Sequence, residues 1–148
     1  MLVRKARLQD LNLLGQLFDE YRQFYHQESN LEAAADFIKQ RMKNNESIIF
    51  VVEKNDKLLG FTQLYPSFSS VSMQRMWVLN DLYVATAARQ SGVAQKLMAA
   101  ANQWAHETDS KGLILETDTD NLNAQKLYKK LGYVKQDSTF HYFLSTQS

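Results

Sequence analysis

The chain has 148 residues, 45% of them hydrophobic and 22% charged, and this composition excludes a disordered or fibrous protein. Its formal net charge of +1 is too small to support phosphate-driven binding to nucleic acid. Because it contains 0 cysteines, a disulfide framework and a thiolate metal site are both excluded.

The first third of the chain predicts two amphipathic helices. Apolar side chains recur at helical spacing over residues 10–26, and Asp10 is placed to cap the start of this helix. Ser29 and Glu32 have the spacing of a capping box. A second helix is therefore expected over residues 29–43.

A β-hairpin is predicted next. Residues 47–53 (SIIFVVE) are typical of a buried strand, and residues 55–57 are typical of a turn. Residues 58–65 form the expected partner strand. Pro66 should stop it, because proline cannot donate a hydrogen bond to a neighbouring strand.

The second half predicts strands and helices in alternation. Its expected elements are a long strand over residues 72–84, a helix over 92–107, a strand over 111–117, a helix over 121–131 and a strand over 139–144. Gly132 would end the last helix as a C′ glycine.

These elements predict an α/β fold in a single domain over residues 1–148. If the first few residues and residues 133–136 are also strands, the order is β, α, α, β, β, β, α, β, α, β, β. This order favours a mixed sheet with helices on both faces. The strand–helix–strand unit of residues 76–117 is expected to form a right-handed parallel crossover.

No segment predicts a targeting sequence, a membrane span or a metal site. Residues 1–10 mix polar and apolar side chains, unlike a signal peptide, and no apolar run is long enough to cross a bilayer. His26, His106 and His141 share no metal-ligand spacing. We expect a cytoplasmic protein without a membrane partner, a nucleic-acid partner or a metal.

The first chemically informative stretch is residues 80–98 (NDLYVATAARQSGVAQKLM), where a strand leads into a helix. Gly92 and Ala94 are small enough to let a ligand approach the backbone. The first-turn amides of a helix are unpaired and lie at the positive end of its dipole, so a phosphate or pyrophosphate fits there. Alone, this R-x-x-G-x-A pattern is equally typical of an ordinary helix start.

The second stretch is residues 121–133 (NLNAQKLYKKLGY), whose apolar side chains share one helical face. Tyr128 lies on that face. Taken alone, Tyr128 would be interpreted as a core tyrosine whose hydroxyl has found a partner.

In this order, the two stretches resemble the acetyl-CoA signature of the GNAT acetyltransferases: R/Q-x-x-G-x-G/A after the fourth strand, then N-x-x-A-x-x-L-Y-x-x-x-G-F/Y. The family's order of strands and helices also matches the predicted order. The resemblance implies a GNAT fold in which the fourth and fifth strands splay apart and the pantetheine arm lies between them. It also implies acetyl transfer from acetyl-CoA to an amine by direct attack in a ternary complex.

The resemblance assigns the acetyl-CoA site to three segments. The loop amides would cradle the pyrophosphate, the strand main chain would hold the thioester carbonyl and the pantetheine, and the second motif would contact the pantetheine arm. The loop residues are Arg89, Gln90, Ser91, Gly92, Val93, Ala94 and Gln95. The strand residues are Leu82, Tyr83 and Val84. The residues of the second motif are Asn121, Ala124 and Tyr128.

The chemistry requires a proton acceptor and a proton donor. An alkylamine is mostly protonated at pH 7 and must be neutral to attack a thioester, and the departing thiolate needs a proton. The resemblance makes Tyr128 the donor. In the polyamine and thialysine acetyltransferases, an acidic pair occupies the positions of Asn80 and Asp81. Asn80 replaces the first acid here, which leaves Asp81 as the candidate base; a strand-end carboxylate bonded to backbone donors is the alternative. Glu116 is the other candidate acid.

The amine pocket is the least specific part of the prediction. Residues 63–73 (QLYPSFSSVSM) also resemble, more loosely, microbial GNAT proteins related to yeast histone and polyamine acetyltransferases. Tyrosines at the end of the first helix could equally be core residues, and Glu28 could be a solvated side chain. The candidate substrate-binding residues are Tyr21, Tyr25, Glu28, Asn80, Asp81 and Glu116.

The expected acceptor is a small-molecule primary amine, such as a polyamine, a diamine or an amino acid. Acetylation of a protein lysine or N-terminus is an alternative within the enzyme class. A non-catalytic acyl-CoA-binding regulator is the alternative outside it. A homodimer is compatible with each of these functions.

Overall fold

The structure, a computed structural model, describes residues 1–147. The chain divides into two compact units, Met1–Leu115 and Glu116–Ser148. The first unit holds a sheet and three helices, and the second holds one helix followed by irregular chain. That residues 1–148 form a single domain stays a prediction.

The elements of the first unit follow the predicted order. They are β1 (Leu2–Lys5), α1 (Leu11–Phe24), α2 (Leu31–Lys43), β2 (Ile48–Lys54), β3 (Lys57–Ser69), β4 (Gln74–Val84), α3 (Val93–Glu107) and β5 (Leu113–Ile114). Two short 3-10 turns, Leu8–Asp10 and Thr86–Ala88, precede α1 and α3. The second unit contributes α4 (Leu122–Lys130).

The strands form one five-stranded sheet in the order β1-β2-β3-β4-β5. The first three pairings are antiparallel, and β4 pairs with β5 in parallel. The predicted mixed sheet is confirmed, and so is the parallel pairing across α3.

Helices pack on the two faces of this sheet, as its alternating side chains require. Phe61 of β3 lies against Phe18 and Tyr21 of α1, with ring centroids 6.1 Å and 5.7 Å away. Phe50 of β2 lies against Trp104 of α3, at 6.3 Å. The core between the sheet and α1 and α2 contains the buried residues Leu14, Leu17, Phe18, Ala34, Ile38, Ile49, Val51, Leu58, Phe61 and Tyr83.

Pro66 does not stop β3, contrary to the prediction. β3 continues to Ser69, and Pro66 pairs in register with Trp77 of β4. The pairing of β3 with β2 ends at Leu64, so the extension has a β4 neighbour but no β2 neighbour. Proline is tolerated in a strand segment with one unpaired edge, because the N–H that proline lacks would have no partner strand to bond there.

The start of α2 also differs from the prediction. Asn30 is the N-cap, and its side-chain oxygen accepts a hydrogen bond from Ala33 N at 3.1 Å. The Ser29 hydroxyl instead donates to the buried carboxylate of Asp19 at 2.6 Å, and Asn30 N donates to the same carboxylate at 2.7 Å. These bonds lower the pKa of Asp19, the Ser29 bond most of all. These hydrogen bonds fix the loop between α1 and α2. Because the Ser29 hydroxyl bonds to Asp19, Asn30 caps α2 in its place.

Asp10 occupies the predicted N-cap position of α1 without capping it through its side chain. Its carboxylate accepts hydrogen bonds from the Arg4 guanidinium at 2.8 and 2.9 Å and from Arg7 N at 2.7 Å. Arg4 is the main cause of its lowered pKa. Asp10 therefore ties β1 to the start of α1.

The predicted strand over residues 111–117 is confirmed only at Leu113–Ile114, and the two strands predicted after it are wrong. Residues 133–136 and 139–144 are irregular. Phe140, Tyr142, Phe143 and Leu144 are 85–94% exposed. Alternating aromatic residues favour a strand only where a neighbouring strand supplies hydrogen bonds and a packing surface, so the pattern alone does not form one.

Gly60 lets β3 pass close to the end of β4 and the start of α3. A Cβ atom on Gly60 would lie 2.7 Å from the Tyr83 carbonyl oxygen and 3.0 Å from Val93 Cγ1. Contacts that short force the backbone or the helix to shift. Gly60 therefore sets the spacing between the sheet and the beginning of α3.

We expect Gly60→Ala to destabilise the protein by about 1–3 kcal/mol, because the added methyl group overpacks this contact. Gly112→Ala is the matched control, since no atom lies within 4 Å of its Cβ position. Thermal and urea unfolding of both variants measure the difference. Equal stability of the two variants would contradict the close contact at Gly60.

Candidate functional site

The candidate site is built around an irregularity in β4. Gln63 of β3 pairs in register with Asp81, but the next residue, Leu64, pairs with Leu79. Asn80 is therefore an extra residue in β4, a β-bulge. A bulge shifts the alternation of side chains by one position beyond it.

The bulge changes which face of the sheet the side chains of β4 reach. Before it, Trp77 packs against Trp104 of α3, with ring centroids 5.8 Å apart. After it, Tyr83 packs against Tyr21 of α1, at 6.1 Å. In a regular strand, Trp77 and Tyr83 would share a face, because their separation is an even number of residues. The shift brings Asp81 to the α1 face.

The Asp81 carboxylate is held by neutral donors only. Asp81 is 4% exposed, and Gln63 Nε2 donates to Oδ2 at 2.6 Å while Asn80 Nδ2 donates to Oδ1 at 3.0 Å. The Tyr21 hydroxyl also hydrogen-bonds this carboxylate. The Thr62 hydroxyl donates to the Asp81 main-chain oxygen at 2.8 Å. Within residues 1–147, no lysine, arginine or histidine forms a salt bridge with Asp81.

Two tyrosines beside Asp81 keep their protons at neutral pH. Burial raises the pKa of Tyr21 far above its usual value, and the charge of Asp81 raises it further. Burial and the same charge raise the pKa of Tyr65 to about 12. The Tyr21 ring also contacts Tyr25 edge-on at 5.2 Å. Within the described part of the chain, Asp81 thus lies beside protonated tyrosines and forms no salt bridge.

This cluster contains part of the predicted amine pocket. Tyr21, Asn80 and Asp81 come together, and Tyr25 is joined to them through its contact with Tyr21. Glu28 lies exposed in the segment between α1 and α2. Glu116 belongs to the second unit, where its carboxylate oxygen is 3.8 Å from His141 Nδ1.

Sequence reasoning missed two residues of β3 in this cluster: Gln63 and Tyr65. A signal was present in the sequence, because Phe61, Gln63 and Tyr65 alternate with period two and so share a face. The pairing of Gln63 with Asp81 depends on the hairpin register and the bulge, which the sequence does not display.

The start of α3 has the geometry of an anion site. Gly92 is the N-cap with φ 82°, a left-handed conformation that favours glycine, and no side chain caps the helix. No atom lies within 4 Å of its Cβ position. The unpaired amides of the first turn, from Val93 to Gln95, are therefore available to an anion.

The loop before α3 is tied to the end of β4. Arg89 Nε donates to the Val84 carbonyl oxygen at 3.2 Å, and the guanidinium lies 5.8 Å from the centre of the Tyr83 ring. The Ser91 hydroxyl donates to the Ala88 carbonyl oxygen. These bonds hold the predicted pyrophosphate loop beside the predicted thioester strand.

The edge of β4 that leads to this loop is unpaired. β5 pairs with β4 only at Trp77 and Val78, and within the described residues no strand continues that pairing along residues 79–84. An extended ligand can add to such an edge through main-chain hydrogen bonds. Leu82, Tyr83 and Val84, the predicted thioester and pantetheine contacts, all lie there.

The second unit holds the other predicted motif. Asn121 is the N-cap of α4, and its side-chain oxygen accepts a hydrogen bond from Ala124 N at 3.2 Å. Gly132 has φ 94° and donates to Lys129 O at 3.1 Å, while Tyr133 N donates to Tyr128 O at 3.0 Å. This is the Schellman motif, so the prediction of Gly132 as C′ is confirmed.

Tyr128 is half-buried, and its ring centroid lies 5.9 Å from that of Tyr133. Burial raises the pKa of Tyr133 to about 12. The Tyr133 hydroxyl is buried and has no hydrogen-bond partner within residues 1–147. The two tyrosines share an environment, and this makes Tyr133 a natural control for Tyr128.

Residues 1–147 contain neither a metal-ligand cluster nor a helix suited to a membrane. No group of three or more His, Cys, Asp or Glu side chains is arranged to hold a metal ion. No helix combines the length and the apolar character that crossing a membrane requires.

Residues 14–133 match the Acetyltransferase (GNAT) family. The chain belongs to this family. The match contains both predicted motifs, and GNAT enzymes generally use acetyl-CoA as the acetyl donor. The protein is therefore an acetyl-transferring enzyme.

Similar proteins agree with the family. An uncharacterized N-acetyltransferase of Bacillus subtilis (strain 168), YhfO, is 43% identical over 145 residues, covering 98% of this chain and 97% of that protein. A probable acetyltransferase of Haemophilus influenzae is 38% identical over 113 residues, covering 76% of this chain and 77% of that protein. A crystal structure of a probable acetyltransferase has a TM-score of 0.95 at 41% identity, covering 100% of this chain and 99% of that one.

Proposed function

We propose that this GNAT enzyme transfers the acetyl group of acetyl-CoA to the primary amine of a small molecule, such as a polyamine, a diamine or an amino acid. The observation that carries the proposal is the Asp81 cluster. Within residues 1–147, this buried carboxylate has neutral donors and no salt bridge, and such a carboxylate is a site where an ammonium group gains a counter-ion. Tyrosine rings beside it add favourable contacts for a cation and its alkyl chain.

The donor end of the proposal rests on α3 and β4. The unpaired amides at the start of α3 would bind the pyrophosphate, and Gly92 leaves the space for it. The unpaired edge of β4 would take the pantetheine arm as an added strand. In the second unit, Asn121 and Ala124 take the pantetheine contacts that the family resemblance implies.

Each proton in the proposed reaction has a residue assigned to it. Asp81 accepts the proton that the acceptor ammonium loses, and the neutral nitrogen then bonds to the thioester carbon. Because Asp81 is 4% exposed, this transfer passes through an intervening hydroxyl or water. The carbon–sulfur bond breaks, and Tyr128 supplies the proton to the sulfur. The nitrogen, which is cationic after the attack, loses a second proton as the amide forms, and this proton restores the Tyr128 hydroxyl through solvent. The products are the acetylated amine, the CoA thiol and the proton held by Asp81. No covalent enzyme intermediate forms.

Acetyl-CoA with a panel of amines tests the proposal. We expect CoA release with spermidine, a diamine or an amino acid to exceed release with a lysine-containing peptide. Asp81→Asn should lower kcat/KM by about 100-fold and flatten its alkaline rise, or raise KM for the cationic acceptor, because it removes the base or the counter-ion. Asp36→Asn, an exposed acid on α2, is the control. Wild-type pH dependence and KM in Asp81→Asn would remove Asp81 from the mechanism.

The pyrophosphate site is tested at Gly92, where φ is 82°. Asn and Asp both tolerate this conformation better than other side chains and are nearly equal in size, but only Asp adds negative charge. We expect acetyl-CoA to raise the Tm of Gly92→Asn and to have little effect on Gly92→Asp, because ligand binding stabilises the native state.

The ligand-free proteins supply the control for this comparison. An acid at a helix N-terminus is itself stabilising, so ligand-free Gly92→Asp should melt no lower than ligand-free Gly92→Asn. A smaller acetyl-CoA shift in the Asp variant then reports lost binding and not misfolding. Equal shifts in the two variants would show that the pyrophosphate binds elsewhere.

Tyr128→Phe separates a catalytic hydroxyl from a structural one. If Tyr128 protonates the thiolate, the single-turnover rate should fall by about 100-fold with little change in Tm, because the ring remains. Tyr133→Phe should leave the rate unchanged, since it removes a buried hydroxyl without a partner. A wild-type rate in Tyr128→Phe, with stability lowered by about 0.5–1.5 kcal/mol, would instead show a structural hydrogen bond.

A further inference from the structure

Gln63 is a buried polar side chain at the centre of the sheet. It is 0% exposed on β3, between Phe61 and Leu64, which are also fully buried. Its Nε2 donates to Asp81 Oδ2 at 2.6 Å. Its Oε1 is buried and has no hydrogen-bond partner within residues 1–147.

The Gln63 side chain thus has one buried oxygen without a partner and one hydrogen bond to Asp81 within residues 1–147. An unpaired buried carbonyl oxygen lowers stability, and a leucine at this position would avoid that loss. The hydrogen bond from the Gln63 side-chain amide to Asp81 is the contact that a leucine could not make. It is a hydrogen bond from a neutral donor to a carboxylate, which is stronger than one between two neutral groups.

We infer that Gln63 is a positioning residue, which holds the Asp81 carboxylate in place for the amine end of the reaction. This inference rests on the proposed role of Asp81. The other two donors constrain the carboxylate differently. Asn80 is the exposed neighbour in the bulge, and Tyr21 reaches the carboxylate from α1, whereas Gln63 is the fully buried donor from the adjacent strand.

The hydrogen bond also stabilises the charged carboxylate, because a donated hydrogen bond favours the ionised form. The charge of Asp81 in turn acts on Tyr21 from α1 and on Tyr65 from β3, while Tyr25 acts on Tyr21 and Arg41 of α2 acts on Tyr65.

The test compares Gln63→Leu with Thr62→Val in the full-length protein. Both remove one buried hydrogen bond to Asp81, but Thr62 donates to its main-chain oxygen and not to the carboxylate. Carbon-13 NMR of the Asp81 carboxyl reports on its hydrogen bonding directly. We expect its chemical shift to change in Gln63→Leu and to change little in Thr62→Val, because only the Gln63 variant removes a donor from the carboxylate.

Activity provides the second measurement. The acid side of the kcat/KM profile for the amine should move to higher pH in Gln63→Leu, while KM for acetyl-CoA stays unchanged. In the Asp81→Asn background, Gln63→Leu should have no further effect on the rate, because Gln63 acts through Asp81. Gln63→Met, unbranched like glutamine, replaces the leucine variant if that protein does not fold.

The inference is overturned by an unchanged Asp81 carboxyl signal in Gln63→Leu, or by a changed signal with a wild-type kcat/KM profile. Failure of the proposed function has a different signature: the wild-type enzyme releases no CoA with any amine. The NMR comparison then still decides whether Gln63 positions the Asp81 carboxylate.

Discussion

The extra residue in β4 at Asn80 is the constraint on which the candidate site depends. With Gln63 opposite Asp81 and Leu64 opposite Leu79, the alternation of β4 changes within one residue. Trp77 remains in the core beneath α3, and Tyr83 packs against Tyr21 of α1. The sheet thus keeps apolar cores on both faces and still turns a carboxylate toward α1.

The same strand serves both ends of the proposed reaction. Its side chains past the bulge carry the acid for the amine, and its unpaired edge along residues 79–84 is open to an extended ligand. Its last residues lead into the loop tied down by Arg89 and Ser91 and then to the uncapped start of α3. Gly60 allows this approach, because no larger residue fits between β3 and the start of α3.

The electrostatics of the site follow from its neutral surroundings. Tyr21 and Tyr65 are driven toward their protonated forms by burial first and by Asp81 second. Asp19 and Asp10 illustrate the opposite use of a carboxylate, since strong donors lower their pKa and their role is to fix loops. Within residues 1–147, Asp81 accepts hydrogen bonds from the neutral side chains of Gln63, Asn80 and Tyr21 and forms no salt bridge, and under the proposed function the acceptor ammonium is its counter-ion.

Much of this protein was readable in its sequence. The helices, the mixed sheet, the glycines at 92 and 132 and the family motifs are set by local spacing and backbone preference, which neighbouring residues determine. Tertiary structure decided the rest. β3 could run through Pro66 because its other edge is unpaired, and residues 139–144 remained irregular without a partner strand. The pairing of Gln63 with Asp81 depends on hairpin register and a bulge, which arise only when distant strands meet.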